Sequence, residues 1–171
     1  MTGKDKPACS IRPMRTEDGS NVWQLIQKAG TLDLNSAYLY LLLGRYFGDT
    51  CLVAEAGNGE LAGFVTAFLP PGSDDTVFLW QIGVDPDYQG QGLAGRLLRA
   101  LLNLPACRHA RYLDTTVTPS NDNSRGLFQA YARRAGTELN EHEFFPGELF
   151  PETGHEPEKL LRIGPIDQRP Q

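Results

Sequence analysis

The chain has 171 residues, of which 40% are hydrophobic and 22% charged, and this length and composition suit one globular domain with a sizeable core. No window approaches the roughly 18 consecutive apolar residues of a membrane span, and the N-terminus shows neither a secretory nor a transit signal, so we expect a cytoplasmic protein. A net charge of −5 without any basic run disfavours nucleic-acid partners and is compatible with a small cationic substrate.

The N-terminal third predicts one strand followed by two helices. Residues 9–14 (CSIRPM) are β-type residues before a polar turn. A first helix, closed by Gly30, has its buried side at Val22, Leu25, Ile26 and Ala29. A second helix, capped by Asp33 or Asn35, has an apolar face that we expect in the core, at Leu39, Leu42, Leu43, Tyr46 and Phe47.

Three strands are predicted in the middle of the chain. Residues 51–56 (CLVAEA) and 60–68 (ELAGFVTAF) flank Asn58-Gly59, a strong hairpin signal because both residues can adopt positive φ. Residues 76–84 (TVFLWQIGV) form the next strand. The helix that follows has a leucine face at Leu93, Leu97, Leu98, Leu101 and Leu102.

The C-terminal third predicts a strand at 112–118, a helix that begins near Asn121 and ends at Gly136, and two strands at 137–145 and 158–166. Only strands on either side of the two later helices can pair in parallel. We therefore expect an α/β protein with a mixed sheet, forming a single domain over residues 9–166, with loose tails at 1–8 and 167–171.

Gly90, Gly92 and Gly95 have the G-x-G-x-x-G spacing of a dinucleotide-binding loop. In that fold the first glycine directly follows its strand, and an acidic residue about 20 positions on lies at the tip of the next strand. Here a D-P-D-Y-Q segment separates Val84 from Gly90, and Asp114 lies inside a strand. Since an antiparallel hairpin upstream also does not suit a doubly wound sheet, the dinucleotide interpretation is disfavoured.

The same turn fits a second pattern, Gln89-x-x-Gly92-x-Ala94, directly after a strand that ends in V-D-P. In this pattern the chain resembles the GNAT superfamily of N-acetyltransferases, whose members bind the diphosphate of acetyl-CoA on the amides of this turn. The first amides of a helix lack intrahelical partners and carry the positive end of its dipole. The alternative is that the glycines only ease packing. The resemblance implies a donor-binding set of Gln89, Gly90, Gln91, Gly92, Leu93, Ala94 and Gly95.

That superfamily has a central mixed sheet, splayed at its fourth strand and flanked by about four helices, and the pantetheine arm of acetyl-CoA pairs with the exposed strand. Residues 81–84 match this place, and Gly83 is the expected bulge residue because an interior glycine weakens a strand. The resemblance assigns Ile82 and Val84 to the pantetheine arm, with the Val84 amide stabilising the oxyanion. Asn121 would touch the same arm, or serve only as an N-cap.

Across most of residues 9–166 the chain resembles one group in particular, the L-2,4-diaminobutyrate acetyltransferases of ectoine biosynthesis. The strongest signal is LDLNSAYLYLLL at 32–43, followed by WQIGV at 80–84, TPSN at 118–121 and HEPE at 155–158. The resemblance implies acetyl transfer from acetyl-CoA to the γ-amine of L-2,4-diaminobutyrate, on the path to the compatible solute ectoine. It also implies a homodimer.

Diaminobutyrate carries two ammonium groups and one carboxylate, so its pocket needs anionic and hydrogen-bonding groups beside an apolar wall. By resemblance, Asp33 and Glu158 would bind ammonium groups. Tyr38 and His155 would form hydrogen bonds, and Trp80 would form a wall. The residues alone leave simpler roles open: a helix cap for Asp33, core packing for Trp80, and solvation for the HEPE loop.

We expect neither a metal nor a disulfide. His155, Glu156 and Glu158 are potential ligands, but no further ligand is positioned by the sequence. The three cysteines are odd in number and far apart, so we expect reduced thiols.

The amine must lose a proton before it attacks, because a lysine-like amine with a pKa of about 10.4 is almost fully protonated at neutral pH. Glu158, His155 or water held by them could accept this proton. Many members of the superfamily place a tyrosine acid seven positions after the matching asparagine, but that position here is Phe128, and Tyr131 lies almost a full turn further on. Tyr38 and water are then the candidates for protonating the leaving thiolate.

Two other functions stay open at this stage. One is acetyl transfer to another small amine. The other is a non-catalytic acyl-CoA-binding module, which the missing tyrosine makes conceivable.

Overall fold

The computed structural model describes residues 8–167, and within them one seven-stranded sheet is flanked by four α-helices in the predicted chain order. Apart from residues 8 and 167, the predicted tails lie outside the described residues. No helix within 8–167 is long and apolar enough to cross a membrane. The elements are β1 (Ser10–Pro13), α1 (Gly19–Ala29), α2 (Ala37–Tyr46), β2 (Leu52–Glu55), β3 (Leu61–Phe68), β4 (Thr76–Val84), α3 (Leu93–Leu102), β5 (Tyr112–Val117), α4 (Asp122–Ala135), β6 (Leu139–Phe145) and β7 (Glu158–Ile163).

The strand order is β1-β2-β3-β4-β5-β7-β6, and β4–β5 is the parallel pair. This confirms the mixed sheet. The parallel pairing runs only from Thr76 opposite Tyr112 to Leu79 opposite Thr115. Beyond it β4 follows β3 and β5 follows β7. A gap therefore opens between β4 and β5, as expected for a sheet splayed at its fourth strand.

The bulge in β4 lies at Trp80, which corrects the prediction that placed it at Gly83. Thr66 of β3 faces Gln81 and the next residue, Ala67, faces Leu79, so Trp80 is the extra residue. Gly83 is paired with Phe64 in regular register. A Cβ at Gly83 would lie 2.7 Å from the Phe64 ring and 3.1 Å from Leu32, so this glycine makes room for neighbours instead of kinking the strand.

Strand β7 lies between β5 and β6, so the strands on either side of α4 do not pair with each other. Leu113 of β5 and Leu139 of β6 both face Ile163 of β7. Because β7 lies between these two strands and pairs antiparallel with each, its backbone groups are hydrogen-bonded on both sides. Strand β6 becomes the edge of the sheet and is largely exposed.

Two local turns form with different residues from those predicted. In the β2–β3 hairpin Gly59 has φ 83°, whereas Asn58 keeps an ordinary negative φ. Helix α2 has Ser36 as its N-cap, so the predicted cap at Asp33 or Asn35 is wrong. Asp33 is thereby left without a capping role.

The core has two parts, one on each face of the sheet. Helices α3 and α4 bury Leu97, Leu101 and Phe128 on one face. Helices α1 and α2 bury Ile26 and Tyr40 on the other. Tyr46 and Phe47 are exposed, so the prediction that they lie in the core is wrong. Since both faces are covered, β3 is buried along almost its whole length, and the central strands form a fixed platform for the open end of β4.

Candidate active site

A cavity of about 580 Å³ opens between α3, α4 and the splayed end of β4, a size typical of ligand pockets. Gln91 is exposed in the turn before α3 and does not line it. The other predicted donor-binding residues all do: Ile82, Val84, Gln89, Gly90, Gly92, Leu93, Ala94, Gly95 and Asn121. The structure therefore brings together residues that are up to 39 positions apart in the sequence.

Two glycines in the left-handed region shape the turn before α3. Gly90 has φ 76°, and Gly92, the N-cap of α3, has φ 71°. A Cβ built at either glycine meets no heavy atom within 4 Å, so backbone conformation requires glycine here, and the packing alternative is wrong at both positions. The first intrahelical bond runs from the Arg96 amide to the Gly92 carbonyl at 3.1 Å. The amides of residues 93–95 thus have no intrahelical acceptor.

The edge of β4 that faces β5 has no strand partner beyond Leu79 among the described residues. Ile82 and Val84 lie on this stretch and are half-buried. The Gln89 side-chain amide donates to the Val84 carbonyl at 3.3 Å, which ties the turn to the end of the strand. An extended ligand segment can therefore lie against β4 as an added strand would.

Helix α4 forms one wall of the cavity. Asn121 is its N-cap, and its side-chain oxygen accepts from the Ser124 amide at 3.1 Å. The capping role is therefore real, and the cavity-lining role exists beside it. The wall continues at helical spacing through Ser124, Leu127, Ala130, Tyr131 and Arg134.

Tyr131 lines the cavity, whereas Phe128 is only 1% exposed and packs in the core. The sequence analysis does not favour Tyr131 as the acid, because it lies almost a full turn beyond Phe128, the position that usually holds the tyrosine. The signal that could have found it is the spacing of α4, since Leu127, Tyr131 and Arg134 share one face.

Lys28 of α1 holds the segment between β4 and the glycine turn. Its ammonium donates to both Asp85 carboxylate oxygens at 2.9 and 2.8 Å, and to Asp87 at 2.8 Å. The hydrogen bonds to Asp85 and then Asp87 raise the pKa of Lys28, so it stays charged at neutral pH. Asp85 is buried and also accepts from the Asp87 amide at 2.8 Å. Sequence reasoning missed this contact, because the partners are 57 residues apart.

The predicted amine-binding residues do not line the donor cavity. Asp33 is exposed in the loop before α2, and Tyr38, in the first turn of α2, is 67% exposed. Trp80 is half-buried and stacks on Tyr40, with ring centroids 6.3 Å apart. Asp33 and Tyr38 therefore lie on an open surface of the chain.

Gln81, which is buried, connects that surface to β4. The Tyr40 hydroxyl donates to the Gln81 side-chain oxygen at 3.0 Å, and the Gln81 side-chain nitrogen donates to the Asp33 carbonyl at 3.0 Å. The Trp23 indole holds the same loop by donating to the Asn35 carbonyl at 3.0 Å. Because the bonds from Gln81 and Trp23 end on backbone carbonyls, the Asp33 backbone is held while Asp33 itself stays exposed. Gln81 could have been identified from the sequence, because it is a polar residue inside an otherwise apolar strand.

The HEPE loop is held by local contacts, although Glu156 is exposed. His155 stacks on Phe150 with ring centroids 3.8 Å apart, and its Nδ1 lies 2.6 Å from the Glu156 carbonyl. Ser120, next to the α4 cap, donates to the Glu156 carboxylate. A Cβ at Gly147 would lie 2.2 Å from the His155 carbonyl, so no side chain fits there. Glu158 follows as the first, half-buried residue of β7.

Within residues 8–167 no three His, Cys, Asp or Glu side chains are grouped so that they could hold a metal ion. Cys9, Cys51 and Cys107 are buried, and none of them forms a disulfide within residues 8–167. Burial raises the pKa of Cys51 to about 11, so this thiol is neutral and unreactive at physiological pH.

Known proteins are similar to this chain in both sequence and fold. The family profile described as "Acetyltransferase (GNAT) family" matches residues 20–132. An L-2,4-diaminobutyric acid acetyltransferase from Marinococcus halophilus is 50% identical over 97% of this chain and 96% of its own length. One from Halalkalibacterium halodurans is 47% identical over 88% of this chain and 78% of its own.

A solved structure extends this similarity to three dimensions. The diaminobutyrate acetyltransferase from Paenibacillus lautus, in complex with its substrate L-2,4-diaminobutyric acid and coenzyme A, superposes with a TM-score of 0.90 at 41% identity. The match covers 96% of this chain and 99% of that one. The chain therefore belongs to the acetyltransferase (GNAT) family and groups with its L-2,4-diaminobutyric acid acetyltransferases.

Proposed function

We propose that the chain transfers the acetyl group of acetyl-CoA to the γ-amine of L-2,4-diaminobutyrate, giving N-γ-acetyl-L-2,4-diaminobutyrate for ectoine synthesis. The observation that carries the proposal is the donor cavity, in which a glycine turn and a free strand edge suit a diphosphate and an extended arm. The Paenibacillus lautus relative with bound diaminobutyrate and coenzyme A supports the substrate pair. We further propose that residues 9–166 form one acetyltransferase domain of a cytoplasmic enzyme.

The donor is held mainly by backbone. The amides of residues 93–95 bind the diphosphate, because they are unpaired within α3 and lie at the positive end of its dipole. Gln89 to Gly92 shape this turn, with the Gln91 amide completing it. The pantetheine arm runs along Ile82 and Val84 and contacts Asn121. The Val84 amide then donates to the oxygen that becomes negative when the amine attacks the thioester.

The amine is held mainly by side chains. Asp33 and Glu158 bind its ammonium groups, Tyr38 and His155 form hydrogen bonds to it, and Trp80 packs against its methylenes. Bonds from Trp23 and Gln81 to the loop before α2 support this arrangement, because they hold Asp33 near β4. Each carboxylate supplies the opposite charge that an ammonium group needs.

The proton acceptor is best assigned to His155. A carbonyl oxygen only accepts hydrogen bonds, so the contact with Glu156 places the hydrogen of the neutral ring on Nδ1. Nε2 then carries a lone pair that can take a proton from the γ-ammonium group. Glu158, the second candidate, is better suited to hold the charge of the substrate. The freed amine attacks the carbonyl carbon, the C–N bond forms and the C–S bond breaks. The nitrogen also loses a second proton, which balances the proton that the leaving thiolate takes up.

The leaving thiolate takes a proton from Tyr38, from Tyr131 or from water. Tyr38 is the acid predicted from the sequence. Tyr131 is a second candidate because it lines the donor cavity. Replacing each by phenylalanine separates the two, since loss of the acid lowers kcat with little change in KM.

The test is a reaction of the purified chain with acetyl-CoA and diaminobutyrate, followed by thiol release and mass spectrometry, with NMR to locate the acetyl group. We expect release of coenzyme A and acetylation on the γ-nitrogen. Ornithine, lysine and spermidine serve as competing amines. Coenzyme A binding without thiol release would support the non-catalytic module instead, and faster turnover with another amine would reassign the substrate.

We also propose that the chain forms a homodimer. Several large apolar side chains on α2, β6 and the following turn are more than two-fifths exposed, which supports burial against a second copy: Tyr38, Tyr46, Phe47, Phe144, Phe145 and Leu149. Light scattering after gel filtration should give twice the 18.9 kDa chain mass. A monomer at micromolar concentration would contradict this proposal without affecting the proposed reaction.

A further inference from the structure

We propose that Arg99 of α3 and Arg134 of α4 form a binding site for a phosphate monoester, and that this site takes the ribose 3′-phosphate of acetyl-CoA. The inference rests on the proposed function for the identity of the donor. It adds a specificity: the enzyme should distinguish acetyl-CoA from the same thioester without its 3′-phosphate.

The two guanidinium groups converge at one place, over the third residue of α3. A Cβ built on Gly95 would lie 3.8 Å from Nη1 of Arg134 and 3.9 Å from Nη1 of Arg99. Both arginines line the donor cavity. They come from different helices, so this convergence is a product of the fold and not of neighbouring positions in the chain.

Neither arginine has an acidic partner within 4.0 Å in the part of the chain that the structure describes. By contrast, Arg12, Arg125 and Arg162 are each paired with a carboxylate. Two like charges that meet without a counter-ion repel each other, and a phosphate relieves that repulsion. Arginine suits this ligand because its planar fork matches phosphate oxygens.

The site adjoins the diphosphate turn, because both guanidinium groups lie over Gly95, and Arg134 is at the end of the α4 wall farthest from Asn121. The wall formed by α4 runs from Asn121 at the pantetheine end to Arg134, a span of about 20 Å for helical residues. The glycine turn lies across from this wall. In coenzyme A the group beyond the diphosphate is an adenosine that carries a 3′-phosphate. A donor anchored at both Asn121 and the turn therefore extends towards Arg99 and Arg134.

The experiment compares acetyl-CoA with acetyl-3′-dephospho-CoA as donors for the unmodified chain and for Arg99→Met, Arg134→Met and the double variant. Arg133→Met is the matched control, since Arg133 is an exposed neighbour on α4 that does not line the cavity. We expect the unmodified chain to prefer acetyl-CoA by about tenfold or more in kcat/KM, as for loss of a charge-assisted hydrogen-bond pair. The Arg99 and Arg134 variants should lose this preference through a higher KM for acetyl-CoA alone, while Arg134→Lys should keep part of it.

Equal kinetics with the two donors in the unmodified chain would overturn the proposal, as would variants that weaken both donors alike. Calorimetric binding of coenzyme A and 3′-dephospho-CoA makes the same comparison without turnover. If the chain binds coenzyme A more tightly but transfers no acetyl group, the phosphate site stands and the proposed function fails. If acetyl transfer occurs without any preference between the two donors, the proposed function stands and the phosphate site fails.

Discussion

The donor cavity and the proposed amine-binding residues of this chain are built in different ways. The donor cavity is formed by three elements of one chain, and its proposed contacts are mainly backbone groups set by the φ of Gly90 and Gly92. The proposed amine-binding residues are side chains on two loops, on β4 and β7, and at the start of α2, where Tyr38 is 67% exposed. A backbone site depends on local conformation, whereas a side-chain site depends on how distant segments are held together.

This difference has a kinetic consequence. A change in the glycine turn should alter only the KM for acetyl-CoA. A change in the side chains around Asp33 or His155 should alter the KM for diaminobutyrate or the chemical step. Measuring both Michaelis constants for each variant therefore tests the comparison directly.

The largest effect is expected from His155→Gln, which removes the assigned proton acceptor. Loss of a positioned general base lowers kcat by roughly 10²- to 10⁴-fold at neutral pH. The deficit should shrink as the pH rises, because the free amine, with a pKa of about 10.4, then loses its proton unaided. His142→Gln, on the exposed edge strand β6, is the control. A loss that does not change with pH would remove His155 from this role.

A change in the donor turn is expected to have the next largest effect. Gly92→Val forces a β-branched residue into the left-handed region, at a cost of about 1–3 kcal/mol. The KM for acetyl-CoA should rise by roughly 10- to 100-fold, and the KM for diaminobutyrate should stay constant. Gly59→Val is the matched control, because Gly59 has φ 83° in the distant β2–β3 hairpin. It should lower the melting temperature but leave both Michaelis constants unchanged; a similar rise in the KM for acetyl-CoA would contradict the role of the turn.

A smaller effect is expected on the amine side from Asp33→Asn. The substitution removes a charge but keeps the backbone carbonyl that Gln81 holds. The KM for diaminobutyrate should rise about tenfold, the scale of one hydrogen bond to a charged group, while the KM for acetyl-CoA stays constant. Asp74→Asn, in an exposed loop before β4, should change neither constant. If the KM for acetyl-CoA rose instead, Asp33 would not belong to the amine site.

The smallest effect is expected from Lys28→Met, which tests whether the two regions are independent. The variant leaves the Asp85 and Asp87 carboxylates unneutralised next to the diphosphate turn. Because the Lys28 side chain is 51% exposed, the KM for acetyl-CoA should rise only about threefold, and less at high salt. Adding Asp87→Asn should recover part of the loss. No recovery, or an equal rise for diaminobutyrate, would mean that Lys28 acts through general stability.

The donor side could be predicted closely from the sequence. Most of the cavity lining could be predicted from the strand that ends at Val84 and from the spacing of residues 89–95. This part of the site is local, because the glycines determine the turn and α3 begins directly after it. The errors concern tertiary packing. The bulge lies at Trp80 because β3 pairs around it, and Gly83 is needed for the ring of Phe64.

The amine side could be predicted only as a set of residues identified by resemblance. Nothing in the order of Asp33, Tyr38 and His155 indicates that a buried Gln81 holds one loop or that Gly147 permits the close approach of another. The contact of Lys28 with Asp85 and the convergence of Arg99 and Arg134 were also missed, because their partners lie on different elements.

The sequence by itself determined the order of strands and helices, the mixed sheet and the glycine turn, because hydrophobic periodicity and glycine conformation act over a few neighbouring residues. Only the tertiary structure decided where β4 bulges, that β7 separates β5 from β6, and which side chains of α3 and α4 face the cavity. The physical reason is that these features depend on packing between segments far apart in the chain, where shape and charge complementarity, and not local preference, select the arrangement.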